Sequence, residues 1–452
     1  MKMSKIVFAA FTLLLIGSIF FFNSKEEVRL ESPQTDWFFM QRAYPEGRIN
    51  EKARMQAMNQ AAVLKTATRD EQIVWENKGP YNIGGRIVDL EMPLDDQNTI
   101  YVGSASGGVF RSTDFAQSWE PIFDDAMSLS IGDIAIAPSN SQVIYVGTGE
   151  ANGGGGSQTY DGVGIYRSDD GGDNWQHLGL EESRNVGRMV VDPTDENILY
   201  VAAMGDLFGD NPERGVFKTT DGGQTWDQVL YVNDSTGAIE ILMHPENPNV
   251  LFAATWQRVR RPHYHSYGGD GSDIYKSIDG GANWIKLTNG LPDEENAGRI
   301  GITICQSQPG IMYAMYMDKT GYFKGIYKSS DTGETWETCN SGSIGNNFAS
   351  YGWWFGRIRV HPNNPDKVYA LGLDVNLSEN GGQNWGYATW DNMHVDQHSI
   401  FIHPQNDDIV LYGNDGGLYV SVNGGDNVDH IDKLPMIQFY TCEFDEQHPE
   451  RL

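Results

Sequence analysis

Three sets of residues in this chain have types and spacings that could do chemistry. The segment HVDQH puts His394, Asp396 and His398 at alternate positions. On a strand all three side chains share one face. Two imidazoles and a carboxylate so arranged could bind a divalent cation, act as a polar relay, or simply line a core. Zinc gathers ligands from separate elements, whereas ligands two residues apart on one strand diverge along it, so no metal is assigned here. A second set is the dipeptide Gly-Arg, which recurs at 85–86, 187–188, 298–299 and 356–357, with Asp133 at the corresponding place of another unit. If these positions face a common axis, Arg86, Arg188, Arg299 and Arg357 converge there. They would receive a carboxylate-bearing ligand, or pair internally with Asp133, Glu150 and Asp396.

The third set lies in long segments at 149–164, 205–215 and 256–273. They offer Tyr160, Phe208, Trp256, His263, Tyr264, His265 and Tyr267 as stacking surfaces. Long aromatic loops of this kind commonly carry function. Hydrolysis of a glycosidic bond needs two carboxylates roughly 5 to 10 Å apart. Glu150, Asp161, Asp206 and Asp396 are the catalytic candidates, joined by Asp210 and Asp270 in the same loops, and the sequence selects no pair among them. No G-x-S-x-G, HExxH, P-loop or dinucleotide fingerprint occurs, and the glycine tract 153–156 lacks a flanking strand and helix.

The elements that position these residues are announced by a recurring box. The chain reads STDFAQSW (112–119), SDDGGDNW (168–175), TTDGGQTW (219–226), SIDGGANW (277–284), SSDTGETW (329–336), SENGGQNW (378–385) and a worn SVNGGDNV (421–428). The boxes end 43 to 58 residues apart. Aromatic-bearing strands such as GIYRS precede them, and upstream come a second strand, a Pro/Asn turn and an apolar strand. A four-stranded unit cannot bury both faces alone, and radial stacking solves that. The expected fold is therefore all-β, a propeller of about seven four-stranded blades over 72–440.

Within each box the acid or amide (Asp114, Asp170, Asp221, Asp279, Asp331, Asn380) is expected to accept hydrogen bonds from turn amides. The glycines permit turn dihedrals, and Trp119, Trp175, Trp226, Trp284, Trp336 and Trp385 are expected to pack between blades. The boxes are read as hairpin clasps rather than cation sites, although a structural cation stays open. Ala116 stands for a box glycine, Asn380 and Asn423 for the acid, and Val428 for the tryptophan.

These boxes match the Asp-box, or BNR, signature of sialidase-type propellers. The whole pattern resembles the sortilin/Vps10 and xyloglucanase-like superfamily, most closely exported bacterial proteins with a sortilin N-terminal-type domain. The segments DWFFMQRAYPEGRIN (36–50), GPYNIGGRI (79–87) and HVDQHSIFIHPQNDDIVLYGNDGGLYVS (394–421) carry the closer likeness. It runs from about residue 36 to the end, and it implies peptide recognition, glycan recognition or polysaccharide hydrolysis. A sialidase's nucleophilic tyrosine and arginine triad have no specific match. Xyloglucanase-like relatives build their cleft between two propellers. The expectation is an exported binding or scaffold propeller that receives peptide or glycan on its long loops, with a glycoside hydrolase as the alternative.

Bulk properties bound the rest. A formal net charge of −29 excludes a nucleic-acid backbone as partner. Cys305, Cys339 and Cys442 form no CxxC, and a Cys305–Cys339 disulfide remains open. Residues 1–5 are basic and 6–22 apolar, the layout of an export signal or an uncleaved membrane anchor within 1–24. A linker follows over 25–71, with a helix expected at 48–69 from apolar Met55, Met58, Ala61, Ala62 and Leu64. Residues 72–80 offer an outermost strand for the last blade. Residues 441–452 look like the start of a further unit, broken off.

Overall fold

The computed structural model describes residues 44, 50–67, 84–152, 160–261, 264–292, 297–388 and 392–436. The expected export segment, His263, Cys442, the strand-like piece 72–80 and the segment 441–452 lie outside these.

Helix α1 (Glu51–Ala67) starts where the side chain of Asn50 accepts the Ala53 amide at 3.1 Å, which satisfies one of the amides left over at a helix start. Met55 and Met58 pack onto the core cluster of the first two blades, while Leu64 is exposed. No helix among the described residues is long and apolar enough to cross a membrane.

Seven four-stranded antiparallel sheets follow, each a simple meander. The innermost strands are β1 (Ile87–Glu91), β5 (Ile131–Ile136), β9 (Val186–Val191), β13 (Thr236–His244), β19 (Ala297–Ile304), β23 (Arg357–His361) and β27 (Gln397–Ile402). A short hairpin, β15 (Val259–Arg261) with β16 (Tyr264–Ser266), rises from the fourth blade. The alternation of a meander fixes what emerges where. Pro/Asn turns and clasps lie at one end of every blade, and the long loops lie at the other.

Blade seven consists of β27, β28 (Val410–Asn414), β29 (Gly417–Ser421) and β30 (Asp429–His430). Among the described residues its outermost strand is β30, and residues 72–80, expected to supply that strand, lie outside them. Blades one and seven pack through side chains: Ile87, Leu90 and Val102 of blade one share a cluster with Leu411, Leu418 and Val420 of blade seven. Gly413 is required at this seam, because a Cβ there would lie 2.6 Å from Ile87 Cγ2.

The clasps repeat one hydrogen-bond pattern. In the second, Ser168 Oγ donates to Asp170 Oδ1, the Gly172 amide donates to Ser168 Oγ, and the Asn174 amide donates to Asp170 Oδ1 at 2.9 Å. A second donor, Asn174 Nδ2, reaches Asp170 Oδ2 at 2.8 Å. Asn380 keeps the Oδ1 acceptor for the Asn384 amide but presents an NH2 where Asp has its second oxygen. Trp175 and Trp226 tie their clasps to the preceding blade, donating to the carbonyls of Ile122 and Leu178. Trp284, Trp336 and Trp385 donate within their own boxes. Of these tryptophans only Trp336 is buried; the others are half-buried. Cys305 and Cys339 are buried and free, so no disulfide joins them.

Candidate functional site

The innermost strands bring one residue per blade to the same register around the axis: Asp89, Asp133, Arg188, Glu240, Gly301, Arg357 and Ser399. Arg188 lies 3.1 Å from Asp133, 3.5 Å from Asp89 and 3.4 Å from Glu240. Burial works against its charge, but Asp133, Glu240 and Asp89 outweigh that and raise its pKa. Arg357 lies 3.6 Å from Asp89 and donates across the axis to the Val88 carbonyl at 2.9 Å. Arg299 lies 3.8 Å from Glu240 and donates to the carbonyls of Trp354 and Phe355. Burial brings it down to about 9. The Gly-Arg arginines therefore form an internal ion network and not a receptor for a ligand carboxylate. Only Arg188 and Arg357 share the register of Asp133, with Arg86 and Arg299 nearer the long-loop mouth.

At that mouth Arg86 Nη2 meets Glu150 Oε2 at 2.7 Å, both side chains buried. The Arg86 guanidinium lies over the Trp354 ring at 4.8 Å. Trp354 Nε1 lies 3.1 Å from His398 Nε2, and that same nitrogen lies 2.8 Å from Asp415 Oδ1. One ring nitrogen serves one of these partners at a time: protonated it donates to Asp415, unprotonated it accepts from Trp354. Burial would raise the Asp415 pKa, but the hydrogen bond and charge of His398, with Arg86 and His394, bring it below the ordinary value. Asp396 moves the other way, raised by burial and by the Asp415 charge.

The alternation read in HVDQH does not form. Strand β27 begins at Gln397, and Asp396 has a φ of 70°, in the left-handed region. His394 is exposed, with its backbone amide bonded to the Tyr419 hydroxyl, while His398 is buried. Among the described residues no group of three His, Cys, Asp or Glu side chains is placed to hold a metal ion.

The long loops are locked mainly by arginine. Arg184 meets Asp206 at 2.8 Å and Asp161 at 3.9 Å. Arg214, fully buried, donates to the carbonyls of Gly209 and Arg258, and burial lowers its pKa to about 10. Trp256 is fully buried, with its indole donating to the Tyr267 carbonyl at 2.8 Å and Arg258 stacked 4.6 Å from its ring. It is a core residue, which corrects its reading as a ligand platform. Tyr160 and His265 are exposed, and Tyr267 stacks on Trp353 at 4.8 Å. Tyr351, more than half exposed, flanks that pair at 6.0 Å. Sequence reasoning missed Trp353, Trp354 and Asp415. The signal was the aromatic-rich run YGWWF at 351–355, which leads into β23 on the long-loop face.

Residues 163–323 match the family model described as "Sortilin, neurotensin receptor 3". Three clasps lie in that stretch, and the same clasp closes all seven blades. The chain is a β-propeller that carries the Asp-box (BNR) clasp, and it is similar to that family and to xyloglucanases. This Asp-box propeller is 24% identical over 361 residues to a xyloglucanase from Paenibacillus sp, a match covering 71% of this chain and 33% of that protein. It is 23% identical over 372 residues to a xyloglucanase from Acetivibrio thermocellus, covering 72% of this chain and 40% of that one. Among solved structures, the GH74 xyloglucanase from Xanthomonas campestris matches with a TM-score of 0.58 at 17% identity, covering 78% of this chain and 55% of that one. This propeller spans about a third to two-fifths of the length of the curated relatives it matches.

Proposed function

We propose that this propeller is a glycoside-hydrolase module that takes a xyloglucan-type polysaccharide across its long-loop mouth. The observation that carries the reading is the pair Asp396 and Asp415, whose pKa values move in opposite directions and of which Asp415 is linked through His398 to Trp354. Two carboxyls separated in this way are suited to acid and base roles. Exposed Tyr351 and half-buried Tyr267 and Trp354 offer ring surface to sugars, with buried Trp353 packed against Tyr267. Asp396, whose carboxyl binds its proton more tightly than an ordinary aspartate, would protonate the departing glycosidic oxygen as the C1–O bond breaks. Asp415, ionised and oriented by His398, would assist the incoming water or the developing positive charge. Glu150, Asp161 and Asp206 are spent on arginines and take no part in the chemistry.

Those same ion pairs favour a second reading, a module that binds glycan without cleaving it. One experiment separates the two. Tamarind xyloglucan is titrated against the full chain while reducing ends are counted, for the parent and for Asp396→Asn. Release that disappears in the variant with binding retained supports the hydrolase. Binding without any release by the parent selects the second reading, and absence of binding sinks both. A polysaccharide substrate also suits export through residues 1–24. Mass measurement on membrane and soluble fractions tests that, and an intact chain in the cytosol would refute it.

A further inference from the structure

On the opposite face, the end that carries the Pro/Asn turns, the axis opens into a funnel of about 820 Å³. That size lies within the range of small-molecule sites. One pleat outward from the charged ring, the innermost strands present Val190, Leu242 and Phe401 as apolar wall and Thr303 as a hydroxyl. Glu91 and Arg359 bring the charges at this level. Arg359 is occupied: it donates to the Ile358 carbonyl at 2.9 Å and lies 3.9 Å from Glu240.

Glu91 differs. Its side chain makes no hydrogen bond or ion pair among the described residues, although it lines the funnel. Its charged neighbours are Asp89 and Asp133 against Arg188, with Glu240 and Arg359 further round the ring. The side chain is half-buried, and burial first, then Asp89 and Asp133, push its pKa well up. A cation seated in the funnel beside this carboxyl would offset the like charges of the two aspartates.

We infer that the funnel is a second ligand site, taking a small amphiphilic molecule whose protonated amine seats on Glu91 and whose apolar body lies along Val190, Leu242 and Phe401. Whatever proton the carboxyl carries passes to solvent as the ammonium ion pairs with the carboxylate. The site lies at the other end of the axis from Asp396, so it stands or falls independently of the glycan reading.

The probes are n-hexylamine and its neutral counterpart hexan-1-ol, titrated calorimetrically into the full chain at pH 7 in two buffers of different ionisation enthalpy. The amine is expected to bind about tenfold or more tightly than the alcohol, as a charge-assisted contact adds to a shared apolar one. Its apparent enthalpy is expected to shift between buffers as a proton leaves. Glu91→Gln mimics the protonated side chain and should fold; it is expected to erase the preference for the amine while leaving the alcohol unchanged. Val190→Trp, which fills the funnel, is expected to abolish both. Equal affinity for amine and alcohol, an amine unaffected by Glu91→Gln, or no binding of either probe would overturn the proposal.

Discussion

Asp133 reaches from the second blade to the third, where its Oδ2 accepts the Met189 amide at 2.7 Å and its Oδ1 lies 3.1 Å from Arg188. Asp89 repeats the device one blade earlier, accepting the Ile134 amide at 2.9 Å. These two axial carboxylates thus register the first three innermost strands against one another. Replacing Asp133 by Ala strands a buried amide and removes a main counter-charge of Arg188. The expected loss is about 3–5 kcal/mol in urea unfolding, with a smaller loss for Asp133→Asn, which keeps the amide acceptor. A loss under about 1 kcal/mol would remove the axial network from the account of stability.

Asp396 is held at a cost that should be measurable. Its folded pKa lies above the ordinary aspartate value, so the folded state binds the proton more tightly than the unfolded one. Stability contributed by that proton is present at low pH and is lost as pH rises from the unfolded pKa through the folded one. Asn removes the charge and also suits the left-handed backbone at φ 70°. Asp396→Asn is expected to gain a few tenths to about 1 kcal/mol at pH 7, discounted for partial exposure, with most of the electrostatic part gone by pH 3. Greater stability with lost xyloglucan cleavage would be the signature of a working acid; a destabilised variant would contradict this placement.

The clasp tryptophans should not be equivalent. Trp336 is buried, so Trp336→Ala is expected to cost about 3–5 kcal/mol. Trp284 is half-buried, and its loss is expected to cost distinctly less. Equal shifts in thermal midpoint would show that clasp geometry rather than burial sets the cost.

The clasp acids give the fold an acid limit. Hydrogen bonds from Thr225, then Thr219, hold Asp221 down at about 2, and Ser118 does the same for Asp114. Their folded pKa values lie below the unfolded ones. Their contribution is therefore complete above about pH 4 and is lost as pH falls through about 2. Asp221→Asn is expected to lower the thermal midpoint at pH 7, with the difference shrinking towards pH 2. Asn380→Asp should do the reverse by restoring an acceptor for Asn384. Midpoints measured from pH 2 to 7 check both.

Much of this architecture was legible in the chain. The boxes announced seven hairpins because a Ser or Thr, an acid or amide, a glycine and an aromatic at fixed offsets close a turn by local hydrogen bonds alone. Local bonds need nothing from the rest of the chain, so a sequence records them faithfully. The common end of the long loops was legible too, because a meander alternates ends. Residues 394–398 went the other way. Their alternation suggested one strand face, but the backbone turns at Asp396 to meet Leu373 on the sixth blade, a demand made from outside the segment.

The sequence by itself determined the blade count, the clasp chemistry and the presence of arginines on the innermost strands. Only the tertiary structure decided which charges neutralise which. Ring closure brings Arg188 between Asp89, Asp133 and Glu240, and it sets Arg357 against Val88 across the axis. It also ties Glu150, Asp161 and Asp206 to arginines and links Asp415 to Trp354 through His398. The physical reason is that an ion pair depends on distance and burial, and partners 52 (Arg188 and Glu240) to 268 (Arg357 and Asp89) positions apart acquire both only when seven sheets share one axis.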